Sequence, residues 1–464
     1  MKKTAISILI AIFTIVNISP AFAQEINPNF NPNYIISDSE VLDYNSLTLE
    51  EIKTFINSRE GTLKNYTVST EDGRIMTAAE VIYDRAVANK VNPKFLLILI
   101  QKEQSLLTDT SPKQSQYDWA AGYGCPDGGG CNERWRGFYK QINSASLQFR
   151  SYLDEPQLYK YKAGSTYTFT NPYGTISTAE ITVTPANQAT AALYNYTPHV
   201  YNGNYNFWNL WNRFFSRIFP DGSLLQVDGE KGVWLIQNGQ KRPFVSQGAL
   251  TSRYDIKKVL IVTKSDLDAY PTGTPIKFAQ YSIVRSPGGD TYLLVNDTKR
   301  KIASMAVFKN LGYNPEEVES ASNEDLASYL DGTPLTESDT HPTGALLKDP
   351  VSGGVYYVIN GTKAPIVDPI FLKTKFKGLK VIKPKKGELD NYTKIDPVKF
   401  EDGYLLKSVN SLGVFVISNG KKRPIVSGKA FEQLGYNWNN ILIVKPQTLA
   451  LYDDGEMIVE QNFK

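Results

Sequence analysis

Glu103 stands at the end of the longest uninterrupted apolar run downstream of the first 23 residues, and its type and place could do acid–base chemistry. At ~100° per residue, Leu96, Ile100, Glu103 and Leu107 share one helical face. A carboxyl group at the end of a buried apolar stripe loses hydration, and desolvation raises its pKa. Held protonated near neutrality, it is what a general acid for glycosidic cleavage needs. The same pattern also fits a buried Glu paired with Lys or Arg, or one at an exposed helix end; Lys102 and Gln104 show the helix reaching solvent. A second carboxylate, acting as base or nucleophile, would come from Asp109, Asp118, Asp127 or Glu133, with Asp118 and Asp127 the first choices. Loop acids after a helix are commonly caps and turn formers, and Asp127 in Pro-Asp-Gly is ordinary turn chemistry. His199 and His341 have no matched nucleophile motif, which weakens a peptidase reading. With two His and two Cys in the chain, most His/Cys metal sites are excluded, and no metal or organic cofactor is indicated.

The chain has 464 residues, which suggests two or three domains. Its 50 Lys+Arg stand against 47 Asp+Glu, a balance with no electrostatic footprint for nucleic acid. Residues 1–23 read as an address. Lys2 and Lys3 form a positive start, residues 5–16 are apolar, and Ala21-Phe22-Ala23 supplies a small–x–small cleavage pattern before Gln24. The apolar run is about twelve residues, short of the ~20 that span a bilayer. A cleaved signal peptide is the expectation, with no transmembrane span after its removal and a secreted or cell-surface destination. In an oxidising compartment Cys125 and Cys131 are expected to close a small loop as a disulfide.

The chain is expected to divide near residue 220. Residues 24–219 carry mostly helical periodicity. Thr48-x-x-Glu51 and Thr77-x-x-Glu80 are capping boxes. Asn92-Pro93 is an N-cap and first-turn pair that opens a central helix, apolar on all sides. Further helices are predicted at about 136–153, 186–196 and 206–218, and a hairpin within 160–184. From there four units of about 60 residues follow, at 220–280, 281–340, 341–402 and 403–464. They start at Gly222-Ser-Leu-Leu, Tyr281-Ser-Ile-Val, Gly344-Ala-Leu-Leu and Gly403-Tyr-Leu-Leu. Each has an apolar strand and a turn at Asn238-Gly239, Asn296-Asp297, Asn360-Gly361 or Asn419-Gly420. Such periods indicate stacked supersecondary units, as an open array or a small closed propeller. The fold class is α+β, a mainly α domain followed by four β-rich repeats.

Pro93-Lys-Phe-Leu-Leu-Ile-Leu-Ile-Gln-Lys-Glu-Gln104 resembles the catalytic helix of the lysozyme-like superfamily, in its lytic transglycosylase and glucosaminidase branches. Ala121-Gly-Tyr-Gly-Cys-Pro-Asp127 follows where those enzymes place a glycine-containing cleft loop. Ala192-Leu-Tyr-Asn-Tyr-Thr-Pro198 looks like their late Tyr-Asn motif. More closely, residues 35–215 resemble exported bacterial proteins labelled haemagglutinin-related, which share these blocks and the Asn-Phe-Trp block at 206–208. The resemblance implies a lysozyme-like fold with Glu103 as the acid and Gln104, Tyr123, Tyr194 and Asn195 against the sugar. The sequence departs from the transglycosylase branch in having Gln104, not Ser, after Glu103. Helix-end packing is the competing reading of Tyr194 and Asn195. Trp119 and Trp135 could stack on sugars, whereas Trp208 and Trp211 belong to a core stripe with Phe207, Phe214 and Phe215.

For the repeats, Lys241, Arg242, Lys422 and Arg423 beside aromatic residues suit a polysaccharide or a teichoic-type anion; the alternative is that they are solvated strand residues. Together these readings predict an exported enzyme cleaving the β-1,4 bond of peptidoglycan or another N-acetylated surface glycan. The rival expectation is a non-catalytic adhesin or carbohydrate-binding protein that keeps the cleft.

Overall fold

The computed structural model describes residues 26–70, 72–126, 128–170 and 180–460. The leader expected at 1–23 and the candidate carboxylate Asp127 lie outside them. The fold is α+β, a helical region followed by small sheets.

The helical region contains α1 (Asp38–Leu42), α2 (Leu49–Asn57), α3 (Ala78–Asn89), α4 (Pro93–Gln104), α5 (Gln114–Asp118), α6 (Phe138–Asp154), α7 (Gln188–Tyr196) and α8 (Asn206–Phe215). Both expected capping boxes form: the Thr48 and Thr77 hydroxyls accept from the Glu51 and Glu80 N–H groups, and each Glu reaches back to its cap. α4 is the axis of this region. Asn92 caps it through the Lys94 N–H, and every residue from Phe95 to Gln101 is buried. Phe95 meets Phe149 of α6 and Phe207 of α8. One hydrophobic cluster runs from Phe30 to Phe215 and takes in Phe207, Trp208, Trp211 and Phe214, as the core reading expects. Two short hairpins lie at its edge, β1 (Thr67–Ser69) with β2 (Ile75–Thr77) and β3 (Tyr167–Phe169) with β4 (Ile181–Val183).

Four sheets of one topology follow. In the first, β5 (Leu224–Val227), β6 (Val233–Gln237) and β7 (Gln240–Pro243) run antiparallel, and β8 (Val259–Val262) returns parallel to β5 after a short helix. The second repeats this with β9 (Ile283–Arg285), β10 (Thr291–Val295), β11 (Thr298–Lys301), β12 (Val318–Ser320) and the added edge β13 (Leu330–Asp331). The third uses β14 (Ala345–Lys348), β15 (Val355–Ile359), β16 (Thr362–Pro365), β17 (Val381–Ile382) and β18 (Thr393–Lys394). The fourth uses β19 (Leu405–Ser408), β20 (Val414–Ser418), β21 (Lys421–Ile425) and β22 (Ile441–Val444). Asn238, Asn296, Asn360 and Asn419 all take positive φ, as hairpin turns of this kind require.

The units close on themselves. Unit 1 meets unit 2 through Arg253 and Asn296, and unit 2 meets unit 3 through Thr333 and Asn360. Units 3 and 4 share a core, and unit 4 shares another with unit 1. At that last seam Gly222 and Gly403 touch backbone to backbone at φ of 90° and 88°, where a Cβ on either would collide with the other strand.

The helical region sits on units 1 and 4. Arg217, just past α8, donates to the Asp266 carboxylate and through Nη1 to the Gln433 carbonyl at 2.8 Å. Ser265 donates to buried Glu40 at 2.8 Å, and Lys429 reaches Glu51 at 3.3 Å. Burial holds the Glu40 carboxyl above its ordinary value of 4.5, against hydrogen bonds from Ser37 and Ser265 that pull it down. Folded Glu40 therefore binds its proton more tightly than the unfolded chain does. The stability it confers is complete below about pH 4.5 and is lost as pH rises through the raised folded value. Glu40→Gln is expected to match the parent near pH 4 and to be the more stable protein near pH 7, read from urea midpoints at about those pH values. A gain confined to the acid side would contradict this account of the interface.

Candidate functional site

α4 ends where the core ends. Ser105 closes the helix in the left-handed region at φ 56°, and Gln101 is buried while Glu103 and Gln104 are partly exposed; the Lys102 side chain stays 8% exposed. Glu103 is thus at the edge of the apolar stripe, its side chain 23% exposed. The purely apolar surroundings expected for it are corrected in one respect. Lys102 Nζ lies 2.5 Å from Glu103 Oε1, and the same ammonium donates to Thr197 Oγ1 at 2.9 Å. The pairing with a neighbouring cation that the sequence also allowed is present.

The opposite side of the carboxylate is met by the backbone of a glycine-containing loop. Gly122, at φ 68°, lies against the carboxylate, and a Cβ there would stand 3.0 Å from Glu103 Oε2. The loop 121–124 is held from behind by Gln141 of α6. Its Oε1 accepts from the Tyr123 N–H at 2.9 Å, and its Nε2 donates to the Tyr123 and Trp135 carbonyls. Tyr123 packs edge-on against Trp135 at 5.3 Å, and its hydroxyl faces Gln148 at 3.4 Å. Burial raises the Tyr123 phenol pKa. Tyr196, at the end of α7, donates to the Ala121 carbonyl at 2.6 Å; burial first, and the Glu103 carboxylate second, push its phenol well above the ordinary range. Tyr196 is therefore a fixed neutral donor beside Glu103. Carboxylate, glycine-floored loop and aromatic wall stand together.

The remaining site residues divide. Tyr194 is wholly buried and donates to the Pro32 carbonyl at 2.9 Å, so it has no surface to offer a sugar. Asn195 uses its amide on the backbone of Tyr161, accepting at 2.9 Å and donating at 2.8 Å. Helix-end packing, not the cleft, accounts for both. Tyr196 and Thr197, two residues further on, make the contact with α4. Gln104 is partly exposed beside Glu103, and its carbonyl accepts from Gln116 at 2.9 Å. Asp118 is buried and ion-paired to Arg136 at 2.9 Å while accepting from Gln114, so both of its oxygens are engaged within the fold. Asp109 accepts from Ser111 and Gln116, and Glu133 pairs with exposed Arg136.

The Cys125–Cys131 disulfide forms as expected, pinning the loop between Tyr123 and Trp135. The Cys125→Ser, Cys131→Ser double variant is expected to lose about 2 kcal/mol, the chain-entropy value for so short a loop. Urea unfolding measures the loss, and amide exchange should show Tyr123 and Trp135 opening first; no loss would mean that the Gln141 bonds alone hold the loop.

The repeat basics are also placed. Lys241 is buried against Asp268 at 2.9 Å, and Lys422 donates to the Tyr452 carbonyl at 2.7 Å. Arg242 and Arg423 donate to the Thr274 and Glu456 carbonyls, both at 2.9 Å. Lys299, Arg300 and Lys363 do the same in units 2 and 3. These cations tie each return strand to the segment closing its unit. They are therefore not merely solvated strand residues.

A cavity of about 740 Å³ lies between the helical region and units 1 and 4, lined by Lys94, Trp211, Phe214, Arg217, Asp266 and Lys429 among others. It opens near the start of α4, nine residues and roughly 14 Å along the axis from Glu103. Among the described residues no group of three or more His, Cys, Asp or Glu could hold a metal ion, and no helix is long and apolar enough to cross a membrane.

Residues 34–228 match the family described as LasA, N-terminal domain, a span of less than half the chain. No curated protein matches. Similar solved structures include the periplasmic assembly from the ESX-5 inner membrane complex, 11% identical over 52% of this chain and 93% of that one, with a TM-score of 0.12. The EccB3 dimer from the ESX-3 core complex is 12% identical over 52% and 99%, with a TM-score of 0.13. At those scores neither likeness carries an argument.

Proposed function

We propose that this chain is an exported, wall-directed protein whose lysozyme-like helical domain, residues 24–219, cleaves glycan strands with Glu103 as general acid, while its repeats hold it at the cell surface. The observation that supports this is the carboxylate at the end of α4 with the Gly122 backbone packed so closely against it that a Cβ would stand 3.0 Å from Oε2. The match to the LasA N-terminal domain is in keeping with the coarser part of the reading. Glu103 would give its proton to the glycosidic oxygen as the bond from that oxygen to the anomeric carbon breaks. Tyr123 and Trp135 would form a wall beside the sugar, and Gln104 a polar contact. Asp118, the first-choice second carboxylate among the described residues, is engaged by Arg136, which favours a route in which the substrate's own N-acetyl oxygen stabilises the developing cation. Lys102, which already donates to Thr197, must then release Glu103 when substrate enters.

The second reading is a carbohydrate-binding surface protein without catalysis, favoured by that same Lys102–Glu103 pair. Mass spectrometry of products from purified peptidoglycan separates the two. Reducing or anhydro ends that vanish in Glu103→Gln support the enzyme; retention of protein on the glycan without release, unchanged by the substitution, supports the binder.

A further inference from the structure

Repeat 3 carries a charge pattern the other repeats lack. Between Lys373 and Lys386 seven of fourteen residues are Lys (373, 375, 377, 380, 383, 385 and 386), and none is acidic. In a chain of formal net charge +3 this is a strong local excess. The corresponding stretch of unit 2, Met305 to Ser320, has Lys309 against Glu316, Glu317 and Glu319; that of unit 4 has Lys429 against Glu432. The topology therefore does not require the lysines. Among the described residues Lys375 pairs its ammonium with the Glu401 carboxylate, and Lys385 lies against the Glu388 carboxylate, to which its backbone N–H donates at 2.6 Å. All of the seven but Lys375 are exposed. They flank β17, an edge strand of the third sheet, in contrast to the repeat basics bound to carbonyls of their own units.

We infer that the Lys373–Lys386 edge of repeat 3 binds a flexible linear polyanion, whose charges recur along its chain as phosphodiesters or carboxylates. This deepens the reading of the repeats as a surface anchor and rests on it. Single exposed lysine contacts are weak, so six together favour a multivalent chain over a small ion. Lysine offers a point charge without the fixed fork of arginine, which suits a ligand with no single geometry. Leu379, Val381 and Ile382 stand exposed among these lysines at 41–42%, so an anionic vesicle is the rival ligand that the binding test separates; the exposed residues of the stretch include no aromatic platform for nucleic-acid bases.

The test is binding of the full chain to poly(glycerol phosphate) and to polygalacturonate across a salt series. Neutralising Lys380, Lys383, Lys385 and Lys386 together to Gln is expected to weaken binding at least tenfold and to cut the salt slope by about half. Neutralising exposed Lys231, Lys257, Lys309 and Lys421 together should leave both nearly unchanged. Whichever polymer binds names the anion. Equal losses in the two variants, no loss in the first, or tighter binding to phosphatidylglycerol vesicles or single-stranded DNA than to either polymer would overturn the inference. Cleavage of polymer-free glycan strands depends on Glu103 and not on these lysines, so each proposal can fail without the other.

Discussion

Glu103→Gln is expected to lower glycan cleavage by roughly 10²–10⁴-fold, the usual share of a positioned general acid, while folding and glycan retention stay near those of the parent. The substitution keeps size and hydrogen bonding, and the Gln oxygen can still accept from Lys102. The Lys102 side chain is only 8% exposed, so the Gln oxygen and Thr197 must keep its ammonium hydrogen-bonded for stability to be held. The measurement is kcat on isolated glycan strands beside Tm and a pull-down on the same polymer. Loss of cleavage with intact retention fits an acid that touches the leaving oxygen. Full cleavage by the variant would remove Glu103 from the chemistry, and parallel loss of Tm would show the role to be structural.

Arg217→Ala should have the largest effect on stability, about 3 kcal/mol, because it strips the cation from an Asp266 side chain only 2% exposed. The Asp266 carboxylate keeps the Thr263 and residue-217 backbone N–H groups, which places the loss at the lower end for a broken buried pair. Arg217 also bonds the Gln433 carbonyl, so the variant releases the helical region from unit 4 as well as from unit 1. Calorimetry is expected to show one transition splitting into two. Arg217→Lys should recover part of the stability, since the charge returns without the fork that reaches both partners. A single transition with an unchanged midpoint would mean that the apolar contacts alone hold the two parts together.

Much of the fold was legible because its signals are local. A Thr three residues before a Glu, an Asn ahead of a Pro and an Asn in a hairpin turn each answer to a backbone requirement within four residues, and all formed. The site was legible only as far as the helix end. Adjacent residues on a helix do not normally face each other, so the Lys102–Glu103 pair was not foreseeable from spacing. It arises where the last turn leaves the core and Thr197 steers the ammonium back. Tyr194 and Tyr196 lie two residues apart on α7, on opposite sides of the helix. Which of them meets α4 depends on how α7 packs, and one sequence does not encode that locally. The basic return strands misled for a related reason. Their partners are backbone carbonyls about 30 residues onward, as for Lys422 and Tyr452, and a carbonyl has no signature in side-chain pattern.

The Gly222–Gly403 seam bears on the order in which the molecule can be finished. The helical region leaves the ribosome first, yet the surface it rests on is shared by the earliest unit and the latest one, and Arg217 waits 216 residues for Gln433. Until the last sixty or so residues arrive, the apolar face of unit 1 that unit 4 covers stands bare. Final locking of the helices is therefore a late, long-range step with a large loop-closure penalty, slow relative to the local folding of each hairpin. A nascent chain halted before residue 405 would hold its helices to unit 1 alone, without the unit 4 contacts of Arg217 and Glu51.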